Sequence, residues 1–393
     1  MTIVYTGNFR FPAQDAASAR VINNAKALKE LGHTVKFLSW GGSPREEDKL
    51  PDGQYVYQGF EYVNTSELLD GKRSVAKKLK SMLSRGRKTM TLLKMMPNVK
   101  MVIAYNPPLC FTWNCQKYCS RNGIFFVTDI TEWYASNEFP GGSCLPFYWM
   151  NELNMKWMQK KVKNKIVISS YLNNYYNHSN NLLVPPLVDL SEQKWKKKQV
   201  SIPDVITRNH SIKLLFAGNP AQKDLLVNIL QSVVRFGGRI QIIVLGVSEA
   251  NANLYINMEE RRQYPDSIVF LGRVPQDDVP FYYSMVDFSV IVREPNRKNT
   301  AGFPTKMAES YAAGCPVMLN GTSDLLEYVN DGINAIVLTD FKVNSINRGF
   351  KQLLALKQEE LDQMKINAKV TGKELFDYKT RISSFQNFTQ NLC

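Results

Sequence analysis

No stretch of uninterrupted apolar residues in this 393-residue chain reaches the length needed to cross a bilayer, roughly 18 residues. A transmembrane helix is therefore not expected. Histidine is scarce, at positions 33, 178 and 210 only, and the six cysteines at 110, 115, 119, 144, 315 and 393 form no Cys-x-x-Cys pair. That weighs against a zinc site and leaves core or free thiols. The start, Met1 to Gly7, has no basic segment ahead of its apolar stretch. It reads as a first strand rather than a signal peptide, and an intracellular protein is expected. No Gly-x-Gly-x-x-Gly follows either candidate first strand, where the turns read Gly7-Asn8-Phe9 and Gly218-Asn219-Pro220; this argues against a two-domain nicotinamide oxidoreductase. No Asp-x-Asp stands at a strand end, so neither a metal nor another cofactor is expected. Acidic residues are missing from Lys72 to Lys100, which carries ten Lys and Arg.

The positive charge is unevenly placed. Residues 1–200 hold 28 Lys and Arg against 15 Asp and Glu, whereas residues 201–393 hold 21 against 20. The first half expects an anionic surface or partner. Within the basic run, Val75, Leu79, Met82 and Leu83 fall on one helical face, the pattern of a membrane-surface helix. Lys156 to Lys165, with Trp157, is a second basic run. A nucleic-acid partner is the rival reading of this charge. It is set aside because no nucleic-acid motif accompanies the charge, and its apolar residues form helix stripes rather than aromatic platforms.

The chain starts the same kind of unit twice. Thr2 to Asn8 reads as a strand ending in Gly-Asn, followed by a loop, a helix over Ala19–Leu31 and a strand over Thr34–Ser39. Ile212 to Asn219 again ends in Gly-Asn, followed by a helix over Asp224–Phe236 and a strand over Ile240–Leu245. Strand, glycine turn, helix and strand is the βαβ unit of a parallel sheet. The expected fold class is α/β, with two Rossmann-like domains facing across a cleft. The first would span residues 1–195 with a return of 375–393, and the second 212–374. Residues 196–211, polar and lysine-rich, read as a linker. The last segment, Lys357 to Phe388, has helical periodicity broken near Thr371-Gly372.

Gly302 to Val317 is the most informative segment. Phe303, Pro304 and Thr305 lead into one turn of helix that carries Lys306 and Glu309 on the same face. A helix start after a glycine-bearing loop favours anions, and a carboxylate one turn on can accept bonds from sugar hydroxyls. These parts suit a nucleoside diphosphate sugar.

The second half resembles the nucleotide-binding domain of GT-B glycosyltransferases of family 4. The resemblance rests on Phe216 to Asp224, Val269 to Val274 and Gly302 to Val317. Gly32-His33-Thr34-Val35, Ile168-Ser169-Ser170 and Val184 to Asp189 carry it more loosely into the first half. There are three departures. Ala301 stands where the family has its first motif glutamate, Asn219 stands where it has an arginine, and Ala16-Ala17 replace a Gly-Gly. The resemblance implies a retaining transferase that moves a sugar from a nucleoside diphosphate sugar to a glycan or polyprenyl-linked acceptor at the inner membrane face, in cell-surface polysaccharide synthesis. The enzyme would be cytoplasmic and peripherally bound. A sugar-nucleotide epimerase or hydrolase on the same fold is the alternative that Ala301 keeps open.

Negative charge on the leaving nucleotide would be met by Lys223, Lys306 and loop amides near Gly218. Gly7, Gly218, Asn219, Arg273, Phe303, Pro304, Thr305 and Glu309 are the expected donor contacts, with Glu309 on the ribose. Arg10, Asp15, Arg20, Asp129 and Glu132 are the expected acceptor contacts, and Asp129 is a candidate base.

Overall fold

The computed structural model describes residues 1–12, 15–68, 74–196, 200–208, 212–220 and 224–392. They form two compact units, Met1–Leu187 with Tyr378–Cys393, and Val188–Asp377.

The first unit is built on an eight-stranded sheet of β1 (Thr2–Arg10), β2 (Thr34–Gly41), β3 (Tyr55–Tyr57), β4 (Phe60–Asn64), β5 (Val99–Tyr105), β6 (Phe125–Ile130), β7 (Asn164–Val167) and β8 (Asn180–Leu183). Its order is β3-β4-β2-β1-β5-β6-β7-β8. Every pairing is parallel except β3 with β4. Parallel strands are covered on both faces and read as near-continuous apolar runs. One face packs Ile3, Tyr5, Phe37, Met101 and Ile103. The other packs Val4, Leu38, Trp40, Val102 and Phe111. Helix α1 (Ala16–Glu30) starts where the Asp15 carboxylate accepts the Ser18 amide at 2.8 Å, which satisfies one of the open donors of a helix start. At the other end of the chain, Tyr378, Phe385 and Phe388 join the first-unit core.

The basic run differs from its single-helix reading. It forms α2 (Val75–Ser84) and a separate helix over Arg87–Met95. Gly86 between them has φ +89°, and a Cβ there would sit 2.0 Å from the Phe111 ring. Only glycine fits that turn, so the two helices take different directions. Thr89 and Leu93 of the second helix are buried, whereas α2 buries no residue. Lys72 and Arg73 lie outside the described residues.

The second unit has β9 (Ile212–Phe216), β10 (Ile240–Leu245), β11 (Ile268–Gly272), β12 (Phe288–Ile291), β13 (Val317–Asn320) and β14 (Ala335–Leu338), in the order β11-β10-β9-β12-β13-β14. All five pairings are parallel. The described residues of 188–208 fall in this unit. Ile206 is fully buried against the sheet, and the Gln241 side chain donates to the Val205 carbonyl at 3.0 Å. The C-terminal periodicity is realised as a helix over Gln358–Thr371, a wider helical turn over Gly372–Phe376 and a helix over Ile382–Gln390.

In each sheet the strand order reverses direction at one place, between β1 and β5 in the first unit and between β9 and β12 in the second. Sheets of this kind bind ligands outside the carboxyl ends of the strands at that reversal.

Candidate functional site

At the second-unit reversal, β9 runs out through Ala217 into Gly218, whose φ is +102°. The Gly218 amide donates to the Leu245 carbonyl at 3.1 Å. A Cβ on Gly246 would lie 2.6 Å from the Gly218 carbonyl carbon, so the ends of β9 and β10 approach closely only because position 246 is glycine. Lys223, with Ala221 and Gln222, lies outside the described residues.

Asp224 follows and forms an antiparallel bridge with Arg293, just beyond β12. Its carboxylate is shared. Arg293 Nε donates to Oδ1 at 2.6 Å and Lys306 Nζ to Oδ2 at 2.7 Å. All three groups are buried. Burial alone would raise the Asp224 carboxyl, but Lys306 and Arg293 outweigh it and hold the group below its usual range. Burial pushes the Lys306 ammonium down, and Asp224 offsets only part of this. Lys306 also stands 4.4 Å over the centre of the Phe216 ring. Asn320 fixes the Arg293 backbone from both sides. Its Oδ1 accepts the Arg293 amide at 2.9 Å, and its Nδ2 donates to the Arg293 carbonyl at 2.8 Å. The cluster carries one net positive charge.

Helix α3 (Thr305–Ala312) starts after Pro304 and brings Lys306 into this cluster. One turn along, Glu309 is half-buried. Burial raises its carboxyl, offset in part by Lys194 and Lys306. Phe303 does not face outward as a donor contact would. It is buried edge-on against Tyr328 at 5.3 Å and against Phe376, because its ring fills the core beneath α3. Pro304 is also buried, and Thr305 is half-buried. Arg273 and Asn219 are exposed at the ends of β11 and β9. Ala301 is fully buried.

The first-unit residues divide into two groups. Arg20 and Asp129 are 3% and 0% exposed and bonded to each other, Nη2 to Oδ1 at 2.9 Å and Nε to both oxygens at 3.1 Å. Asp129 also accepts from Tyr5 at 2.5 Å and from Asn24 at 3.4 Å, while Arg20 Nη1 donates to the Val184 carbonyl at 2.9 Å. The expected contact of Asp129 and Arg20 with acceptor hydroxyls gives way to a closed tie between α1, β6 and the segment after β8. A carboxylate sealed from solvent with its oxygens occupied is not placed as a base. Asp15 caps α1, and Arg10 stands 3.7 Å from it. Gly7 has φ +131°, and a Cβ there would meet the Tyr105 carbonyl at 2.3 Å, so it keeps β1 and β5 in contact. Glu132 does reach open space, in a cavity of about 130 Å³ at the β1/β5 reversal.

Arg293 was not legible as a site residue in the sequence. The available signal was a cation at the carboxyl end of the strand next to β9. Among the described residues no cluster of three or more His, Cys, Asp or Glu is placed to hold a metal. None of the described helices is long and apolar enough to cross a membrane.

Residues 197–371 match the family model described as glycosyl transferases group 1. The second unit carries a glycosyl transferases group 1 domain. The chain is a glycosyltransferase. Solved structures agree on the fold along almost the whole length. Sucrose-phosphate synthase from Thermosynechococcus elongatus aligns with a TM-score of 0.74 at 13% identity, covering 99% of this chain and 98% of that one. The HepE protein of Anabaena, in complex with UDP and glucose, gives 0.68 at 13% identity and full coverage of both. WaaG, a glycosyltransferase involved in lipopolysaccharide biosynthesis, gives 0.68 at 12%, covering 98% and 99%. At these identities the likeness is one of fold, the two-domain GT-B architecture. No curated protein matches the sequence.

Proposed function

We infer that this glycosyltransferase takes a sugar from a nucleoside diphosphate sugar bound on the second unit and passes it to a glycan or lipid-linked acceptor bound on the first. The observation that carries this reading is the buried Asp224–Arg293–Lys306 cluster at the β9/β12 reversal, with one net positive charge beneath the Gly218 turn. Breaking a sugar–phosphate bond builds negative charge on the departing diphosphate, and fixed donors already aimed at that charge lower the barrier without rearranging. Glu309, one turn further along α3, would accept the ribose hydroxyls. Lys223 would add a second cation, and Arg273 and Asn219 would flank the base and the diphosphate. HepE, which shares the fold, was captured with UDP and glucose, and this supports a uridine nucleotide as the first donor to test. Retention of the anomeric configuration, membership of family 4 and a reaction without metal belong to the same reading.

The membrane part of the reading rests on the first unit. Helix α2 buries no residue and leaves Val75 and Leu83 48% and 47% exposed. Trp149 and Trp157 are also exposed, and Lys161 lies 3.6 Å over the Trp157 ring. Apolar side chains beside lysines suit an anionic bilayer surface. An acceptor anchored in the inner leaflet during polysaccharide synthesis fits that surface.

The test is a thermal-shift and calorimetric titration of UDP, GDP, CDP and ADP on wild type and Glu309→Gln. One nucleoside diphosphate should bind, and the variant should lose roughly tenfold in affinity, the worth of a charge-assisted bond, while inorganic pyrophosphate binds both alike. No nucleotide binding would sink the transferase reading. Donor breakdown that no acceptor accelerates would favour a hydrolase.

A further inference from the structure

The first-unit cavity contains a cation that the reading above does not use. Arg85 follows α2 at the turn into Gly86 and lines the cavity at the β1/β5 reversal. The side chain is half-buried, and its Nε is buried with no hydrogen-bond partner among the described residues. Glu67 is the acidic residue that acts on it, but that carboxylate is already occupied. It accepts from the Lys88 amide at 3.0 Å, from the Thr89 amide and hydroxyl at 3.3 and 2.7 Å, and from the Thr65 hydroxyl at 3.0 Å. A second donor in the same wall, Asn151 Nδ2, is likewise buried without a partner. Buried donors are nearly always satisfied, so two orphaned ones on side chains that line one cavity point to a group that arrives from outside.

We propose that this cavity binds an anionic group of the acceptor, a phosphate or carboxylate, held by Arg85 and Asn151, with Glu132 accepting a neighbouring hydroxyl. This deepens the proposed function and rests on it for the word acceptor. The anion site itself stands on the orphaned donors. At about 130 Å³ the cavity falls below the roughly 300–1,000 Å³ of pockets that enclose a whole ligand. It therefore takes one charged group and the carbon beside it. Guanidinium is the donor best shaped for such an anion. Burial pushes the Arg85 guanidinium below its usual range, the direction expected of a cation lacking its counter-charge. Met82 of α2 lines the same cavity, so the exposed basic helix and the anion site share a wall. The anion can come from a lipid phosphate or from a free sugar phosphate.

The experiment is calorimetric titration of the full chain with farnesyl phosphate, glucose 1-phosphate and glucose, each with excess UDP present, on wild type, Arg85→Gln, Arg85→Lys and Asn151→Ala. Wild type should bind at least one phosphate probe roughly tenfold more tightly than glucose. Arg85→Gln should lose that preference, Arg85→Lys should keep part of it, and Asn151→Ala should weaken it a few-fold. Arg85→Gln should also melt no lower than wild type, because it removes a half-buried cation whose burial disfavours its charge; a merely structural arginine would lower it. Binding of farnesyl phosphate alone assigns the lipid source, and equal binding of both probes assigns the phosphate group itself. Equal affinity of wild type for the phosphate probes and glucose, or of Arg85→Gln and wild type for the probes, overturns the proposal. UDP titrated alone reports on the donor reading, so loss of UDP binding with an intact Arg85 effect sinks that reading and not this one.

Discussion

Replacing Asp224 with asparagine should destabilise the second unit strongly and at the same time increase its response to a nucleoside diphosphate. The substitution keeps the shape and removes one negative charge. Arg293 and Lys306, 2.6 and 2.7 Å from the two carboxylate oxygens, are then left as buried like charges facing a neutral amide. Removing one partner of a buried pair costs about 3–5 kcal/mol, and for a unit of this size that lowers the melting temperature by roughly 10 °C. The two phosphates of a bound nucleotide would restore the missing negative charge. At one fixed UDP concentration the upward shift should therefore be larger in Asp224→Asn than in wild type. Acid provides a second check. The folded carboxyl is held below its usual value, so its stabilisation is fully present above the unfolded pKa of about 3.9. That stabilisation is lost as pH falls through the lower folded value. Wild type and variant should converge there and diverge above it. Calorimetry with and without UDP, across pH, measures all of this. A variant within about 1 kcal/mol of wild type at neutral pH, or one that UDP stabilises less than wild type, would refute the view that this cluster is built to hold an anion.

The remaining expectations are independent of that cluster. Asp129→Asn strands the buried Arg20 guanidinium and should destabilise the first unit by about 3–5 kcal/mol, yet leave kcat within a few-fold at a temperature where the variant is folded; a thousandfold loss of kcat would restore Asp129 as a base. Lys165 is fully buried, and burial pushes its pKa down from 10.5 to about 7. The unfolded chain therefore binds more protons between those values, and stability should rise with pH across that window; Lys165→Met should remove the rise, read by urea denaturation at pH 7 and pH 9. Lys77, Lys78 and Lys80 changed together to Glu should lower co-sedimentation with anionic vesicles and leave the melting temperature unchanged, since α2 buries nothing; undiminished co-sedimentation would remove α2 from the membrane surface.

The sheet was readable because parallel strands buried on both faces announce themselves as apolar runs. Ile240–Leu245 is a strand with the expected bounds. The strands missed were β3, β4 and β8, at or next to the sheet's edges, whose half-exposed residues, such as Asn180-Asn181, show neither a run nor a clean alternation. Site residues were less legible, because a charged side chain has the same letter whether it is free or paired. Lys306 reads as an open cation, and in the fold it is shared with Asp224. Asp129 reads as a carboxylate after a strand, and in the fold its oxygens belong to Arg20, Tyr5 and Asn24. Those partners stand far away in sequence, at 82 positions for Lys306 and 109 for Arg20, and no spacing rule reaches that far.

The same limit explains why the most telling groups were the least conspicuous. Arg85 is one of ten cations in a run that reads as a solvated basic surface, and nothing in the sequence separates it from its neighbours. Gly86 separates it structurally. The turn against Phe111 ends α2 and points the chain away from the exposed lysine face, which leaves Arg85 at the β1/β5 reversal with its Nε buried and unmatched. Arg293 is placed by similar means, its backbone fixed by both ends of Asn320 beside the β9/β12 reversal. Each unit has thus committed an arginine, buried at Arg293 and half-buried at Arg85, to the one part of a doubly wound sheet where a ligand can approach the strand ends. Arg293 has a carboxylate to share, and its cluster keeps one net positive charge. Arg85 shares no carboxylate among the described residues, so of the two it stands to gain more from an arriving anion.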